Sequence, residues 1–150
     1  MRMIPVFLAV CFFLPIASLL AQSQEADAVL GTWLVQDKNA KVEIYKRASK
    51  YYGKIVWLKE PNDEQGKAKV DKENPEEKLR SRPILGLEML RGFVYDEDYV
   101  WEDGEIYDPK NGKTYSCKMT LTDKGNTLDV RGYIGISLIG RTQEWTRVKQ

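Results

Sequence analysis

Polar and apolar residues alternate along residues 113–121. Tyr115, Cys117, Met119 and Leu121 fall on one face, Thr114, Ser116, Lys118 and Thr120 on the other. A period of two marks a half-buried β-strand. The same period runs through residues 40–47, where Val42 and Ile44 oppose Glu43 and Tyr45, and through residues 127–134, where Leu128, Val130 and Ile134 oppose Asp129 and Arg131. Residues 51–58 form a denser apolar run with Ile55, Val56 and Trp57, and Trp33, Trp57, Trp101 and Trp145 all fall on strands and are expected in the core. Val100-Trp101 and Glu105-Ile106-Tyr107 are short strand candidates, and the alternation of Leu85, Leu87 and Met89 returns the chain to the sheet. Turn chemistry separates these runs at Asp37-Lys38-Asn39, Asp103-Gly104, Asp108-Pro109-Lys110-Asn111-Gly112 and Asp123-Lys124-Gly125-Asn126. Asp-Gly and Asn-Gly suit the positive φ of tight hairpins. Such spacing predicts one all-β domain of about seven to nine antiparallel strands with little helix, an up-and-down barrel or a strongly curved sandwich.

One stretch breaks the rhythm. Residues 59–83 are polar and too long for a hairpin turn; loops of that length are usually functional or disordered. Asn74-Pro75 can open a single helical turn, with Asn74 as cap and Pro75 at its first position. Further on, Arg80 and Arg82 project to one side of an extended backbone that Pro83 favours. Two guanidinium groups so placed can grip a carboxylate or phosphate, or pair with the loop's own acids. Tyr51 and Tyr52 precede Gly53, and a glycine inside a strand marks a bulge or a close approach. These tyrosines are candidates for the mouth of a pocket.

The N-terminus has the layout of a secretory leader. Arg2 precedes an apolar run over residues 4–20, and Ala21 stands before Gln22-Ser23-Gln24-Glu25. Residues 1–21 are expected to be the signal and residues 22–150 the single barrel domain, placed in the periplasm or secreted. No later segment is apolar enough to span a membrane. Lys and Arg number 23 against 22 Asp and Glu; that balance, without a basic cluster, argues against nucleic acid as a partner. Cys11 leaves with the leader, so Cys117 remains alone without an internal disulfide. Its place on the apolar face of an alternating strand predicts a buried, inert thiol.

The two ends of the domain carry a matched pair of motifs. Gly31-Thr32-Trp33 stands on the first strand, and Arg141, Trp145 and Arg147 stand on the last. A Gly-x-Trp with a terminal arginine resembles the closed end of a lipocalin or calycin-like barrel. Arg141 and Arg147 share parity with Trp145, so either is placed to lie across the Trp33 ring. Gly53-Lys54-Ile55-Val56-Trp57-Leu58, Leu79-Arg80-Ser81-Arg82-Pro83-Ile84-Leu85-Gly86, Ile106-Tyr107-Asp108-Pro109, Gly112-Lys113-Thr114-Tyr115 and Gln143-Glu144-Trp145-Thr146-Arg147 together resemble the exported bacterial domain-of-unknown-function family 2147 over about residues 28–148. That resemblance implies a periplasmic or secreted single-domain protein with no assigned activity. It also implies a cysteine before the Gly-Lys-Ile-Val stretch, where this chain has Tyr52.

The chain has no histidine. Ser-His-Asp and Cys-His catalysis and ordinary zinc sites are thereby excluded. Nor does it carry a phosphate loop, a dinucleotide fingerprint or a nucleophile elbow. Glu102, Asp103, Glu105 and Asp108 crowd one segment, but acids in a turn are ordinarily solvated. The acids from Asp71 to Glu77 lack calcium-loop spacing. The reading is therefore not an enzyme, with no cofactor, metal site or catalytic residue. Two roles remain open. One is binding of a small lipid-like ligand inside the barrel; the other is an interaction module for an envelope protein partner, with a packed interior. A cavity above about 300 Å³ favours the first. N-terminal sequencing of protein extracted from the envelope should begin near Gln22; recovery of an intact Met1 end from membranes would show a retained anchor instead.

Overall fold

The computed structural model describes residues 16–149; the leader expected at residues 1–21 lies largely outside them. A helix, α1 (Ile16–Asp27), precedes eight strands: β1 (Gly31–Leu34), β2 (Ala40–Arg47), β3 (Lys50–Leu58), β4 (Glu88–Tyr95), β5 (Val100–Asp108), β6 (Lys113–Thr122), β7 (Thr127–Tyr133) and β8 (Gly140–Arg147). Each strand pairs antiparallel with the next, and β8 pairs with β1, closing the barrel. Closure leaves no free sheet edge. No helix among the described residues is long and apolar enough to cross a membrane.

The alternating runs become the interior. Val42, Ile44, Cys117, Met119, Leu128 and Val130 are all buried. Burial pushes the Cys117 thiol up to about 12, as expected of an inert core cysteine. Gly53 meets the expectation of a close approach: a Cβ there would lie 2.8 Å from Leu90 Cδ1.

Two expectations change. Asp103-Gly104 is not a hairpin turn, because β5 runs through it. The positive φ of Asp103, 56°, is absorbed by an irregularity between Trp101 and Gly104. Gly104 must lack a side chain there, since a Cβ would sit 2.3 Å from the Phe93 ring. Trp57 is not core. A register shift opposite Lys41/Val42 leaves Val56 as an extra residue, so Trp57 turns outward, 39% exposed, under the Lys41 ammonium. A bulge of this kind reverses the faces of everything beyond it. α1 is the one α-helix among the described residues, within the expected all-β plan of little helix.

The end of α1 and the start of β1 form the closed floor. Trp33 is fully buried and donates its indole N–H to the Val29 carbonyl at 3.0 Å. The Arg147 guanidinium lies 4.2 Å from the Trp33 ring centroid. It donates to the carbonyls of Leu30 at 2.9 Å, Ala28 at 2.6 Å and Gly125 at 2.6 Å. Gly31 lets this happen: its φ is 125°, and a Cβ would stand 3.2 Å from Arg147 Nη1. Around them Trp101 donates to the Ala26 carbonyl, Tyr95 to Glu25 and Tyr51 to Asp27.

Replacing Trp33 with Ala removes the largest plug of this floor and should cost about 3–5 kcal/mol, as for other buried aromatics. Arg147→Ala removes a stacked cation and charge-assisted hydrogen bonds and should cost about 2–3 kcal/mol. Urea unfolding of both variants checks the order; an Arg147→Ala protein as stable as the wild type would refute the staple.

Candidate functional site

The barrel is open at the opposite end. There a cavity of about 1650 Å³ leads inward from the rim. Its deep wall is apolar, built from Ile55, Met89, Ile106, Val130 and Trp145. These are the inward positions of β3, β4, β5, β7 and β8, and alternation along each strand puts them there. Polar side chains line the rest: Tyr107, Tyr115, Tyr133, Gln143 and Arg141 on the barrel, and charged residues of both signs, Asp37, Glu60, Asp63, Lys69, Glu73 and Lys110 among them, around the rim. Gln143 accepts the Trp145 indole N–H at 3.1 Å, which fixes that ring at the base of the cavity. Arg141 opposes Gly132 across β7 and β8, and its side chain has no hydrogen bond or ion pair among the described residues. It is an exposed cation at the cavity mouth.

The polar stretch expected to be a functional or disordered loop is an ordered strap at this rim. Lys59 N–H bonds to the Asn39 carbonyl, so the strap leaves β3 beside the Asp37-Lys38-Asn39 turn. Isolated bridges join Asn62 to Ala68 and Val70 to Pro83. Its anchor is Asp71, fully buried. The carboxylate accepts from Tyr107 Oη at 2.6 Å, from Asn74 Nδ2 at 2.8 Å and from Arg82 Nε and Nη2, each at 2.9 Å. Burial works against this carboxylate, but the hydrogen bonds from Tyr107, Asn74 and Arg82 outweigh it and hold Asp71 below the usual range. Tyr107 is pushed up by burial and by its bond to Asp71. The strap also packs on the β5–β6 turn: a Cβ at Gly112 would strike the Glu73 carbonyl at 1.9 Å. The helical turn expected at Asn74-Pro75 forms slightly later, as a 3-10 turn at Glu77–Leu79; Asn74 Oδ1 accepts from the Glu76 N–H before it.

The ligand contacts expected from the sequence are placed elsewhere. Arg82 is engaged by Asp71, and Arg80 donates to the Asn74 carbonyl at 2.8 Å. Arg80 sits in helical backbone, with φ −66° and ψ −20°, so the two do not project together from an extended segment. Of the two roles open to them, pairing within the loop is the one adopted. Tyr51 is buried at the closed end, its hydroxyl 2.7 Å from Asp27 Oδ1, and burial followed by that bond pushes it up to about 12. Tyr52 is on the outer face, with Tyr45 stacked beside it at 6.0 Å and Arg47 3.9 Å from its ring centroid. None of these four lines the cavity. Arg141, expected as one of two arginines for the floor, is instead at the mouth, and Trp145 lies between the ends. The sequence signal that points to Arg141 is the inward stripe Arg141, Gln143, Trp145, Arg147 of β8.

A family model described as "Uncharacterized protein conserved in bacteria (DUF2147)" matches residues 31–147. No curated protein matches the chain. Among solved structures, protein HP1028 from the human pathogen Helicobacter pylori, described as belonging to the lipocalin family, superposes with a TM-score of 0.73. The match covers 81% of this chain and 84% of that one at 24% identity. The likeness is one of fold, and the barrel is lipocalin-like.

The Asp71 anchor has a definite pH signature. Its folded-state pKa is lowered, so its contribution is present above the ordinary carboxylate pKa and is lost as pH falls through the folded value. Asp71→Asn should cost about 2–4 kcal/mol at pH 7, toward the lower end because Arg82 keeps some solvent. The gap to wild type should shrink as both proteins are acidified. Denaturant midpoints from pH 7 to pH 2 test this; a gap independent of pH would show that Asp71 is not held as a carboxylate.

Proposed function

The chain belongs to the DUF2147 family of uncharacterized bacterial proteins, and we propose that it is a non-enzymatic carrier of one small hydrophobic or amphipathic ligand, working in the periplasm or outside the cell. The open cavity carries this reading. Ligand sites are concave and mostly apolar, with a few placed polar groups, and run to about 300–1,000 Å³. The cavity exceeds that range because it includes the vestibule beneath the strap. A tail fits among Ile55, Met89, Ile106, Val130 and Trp145, while a head group reaches the tyrosines and Arg141. An eight-stranded barrel is of the size that holds one small ligand. The lack of histidine and of a nucleophile motif favours binding over chemistry.

Arg141 replaces Arg80 and Arg82 as the residue assigned to an acidic head group. It lines the cavity and forms no ion pair among the described residues, whereas Arg82 is held by Asp71. Native mass spectrometry of protein purified from its own envelope should show a retained small molecule. Titration with a fatty acid and with the corresponding alcohol should show that Arg141→Ala weakens the acid by about ten-fold more than the alcohol, the worth of one charge-assisted hydrogen bond at a partly exposed site. Equal losses would remove Arg141 from the site, and no binding of either by the wild type would reject the carrier reading.

A further inference from the structure

The β7–β8 hairpin ends in Ile134-Gly135-Ile136-Ser137-Leu138-Ile139-Gly140. Its four large aliphatic side chains are exposed, Ile134 at 73%, Ile136 at 58%, Leu138 at 84% and Ile139 at 69%. Scattered exposed aliphatics are ordinary, but four on one six-residue tip form a patch that asks for a partner. We propose that this tip inserts into the surface of an anionic lipid bilayer and brings the cavity mouth against the membrane.

Three features favour a bilayer. The first is shape. Side chains 58–84% exposed at a hairpin end stand clear of their neighbours, and acyl chains wrap such protruding apolar groups, whereas a protein would have to offer a matching pocket. The second is the backbone. Carbonyls carried into an apolar layer need partners. Here Arg131 donates Nε to the Ser137 carbonyl at 2.6 Å and Nη2 to the Leu138 carbonyl at 3.3 Å, while Nη1 holds Thr142 at 2.8 Å. Ile134 and Ile139 close the hairpin, with an N–H to carbonyl distance of 3.4 Å. The third is charge. Between Asp129 and Glu144 there is no acidic residue, while Arg131 and Arg141 flank the tip and Lys118 stands opposite Arg131. Basic groups behind an apolar insertion are the arrangement that anionic headgroups attract.

Ile134 and Ile139 belong both to the tip and to the cavity wall, so a docked barrel opens onto lipid. A ligand then passes between bilayer and barrel without crossing water. That passage rests on the carrier reading above; the docking does not.

Co-sedimentation with phosphatidylcholine vesicles, with and without phosphatidylglycerol, tests the docking on the protein as the cell produces it. Wild type should partition onto the anionic vesicles and be weakened by salt. Ile136→Asp/Leu138→Asp should reduce partitioning by about ten-fold or more, since two apolar anchors are lost and two like charges are added. Neither residue lines the cavity, so fatty-acid affinity in solution should be unchanged. In a Leu138→Trp protein, fluorescence quenched by lipids brominated near the headgroup, beyond any quenching of the wild type, places the tip itself in the bilayer, whatever the N-terminal segment does. Vesicle binding without fatty-acid uptake supports the docking and overturns only the carrier reading. Wild type that ignores both vesicles, an aspartate variant that binds as well as wild type, or a Leu138→Trp protein quenched no more than wild type would overturn the docking. So would an oligomer that the double substitution abolishes while vesicles stay unbound, because the tip would then serve a contact between copies of the chain.

Discussion

The barrel depends on the stacking of Arg147 on Trp33. The reason lies in the seam. β7 and β8 share a register of seven pairs, but β8 and β1 share only Trp33 with Arg147 and Leu34 with Thr146. Two pairs are a weak closure for a sheet that must leave no edge. Side chains make up the difference at the same place. Arg147 ties β8 to the carbonyls before β1 and to Gly125 beside β7, and Gln36 accepts the Glu144 N–H at 3.0 Å further along. A guanidinium suits the task because its rigid fork serves several acceptors while its flat face covers an indole. Burial pulls its pKa down from the ordinary value, the mark of a charge taken partly out of water.

The other end is built on a different constraint. An eight-stranded barrel with a polar strap of more than twenty residues must keep that strap from falling into the cavity or hanging loose. Asp71 resolves this by being buried as a charge with its acceptor sites filled. An unpaired carboxylate there would be strongly unfavourable, so each donor around it is needed for the others to remain in place. Tyr107 comes from β5, and Asn74 and Arg82 from the strap, so one buried group joins the barrel wall to the loop. The mouth is thereby framed by ordered backbone, and the large exposed aliphatic side chains of the β7–β8 tip stand beside it.

Much of this architecture is legible in period-two alternation. Cys117 and Met119, Val42 and Ile44, and Leu128 and Val130 lie inside as their spacing requires. The failures share a cause. At Val56-Trp57 and at Asp103-Gly104 an irregularity of one or two residues changes which face follows, and alternation has no means of announcing it. Asp-Gly points to a turn because its positive φ suits one, but a bulge within a strand satisfies the same preference. Arg80 and Arg82 show a second limit. Pro83 favours extended backbone at Arg82 alone; a 3-10 turn ending at Leu79 holds Arg80 in helical backbone, and the partner that claims Arg82 is eleven residues upstream. Gly31, Trp33 and a C-terminal arginine can be named as a set from the sequence. Arg141 and Arg147 have the same parity, however, and only the register of β8 on β1 assigns one to the floor.

That register explains how one strand serves both ends. Arg141, Gln143, Trp145 and Arg147 form the inward stripe of β8, from mouth to floor. The two arginines have the same chemistry and opposite surroundings. Arg147 meets carbonyls left over where α1 gives way to β1, and they consume its donors. Arg141 meets Gly132, which offers neither acceptor side chain nor bulk, so its donors face the cavity. Trp145 and Gln143 separate them with an indole fixed by its own neighbour, which keeps the floor's hydrogen bonds away from whatever enters above. The division between a saturated floor and an unsaturated mouth is therefore set by what stands opposite each residue. Where every polar group is paired the structure has stability, and the one left unpaired, Arg141, is the group that the proposed carrier role assigns to a ligand.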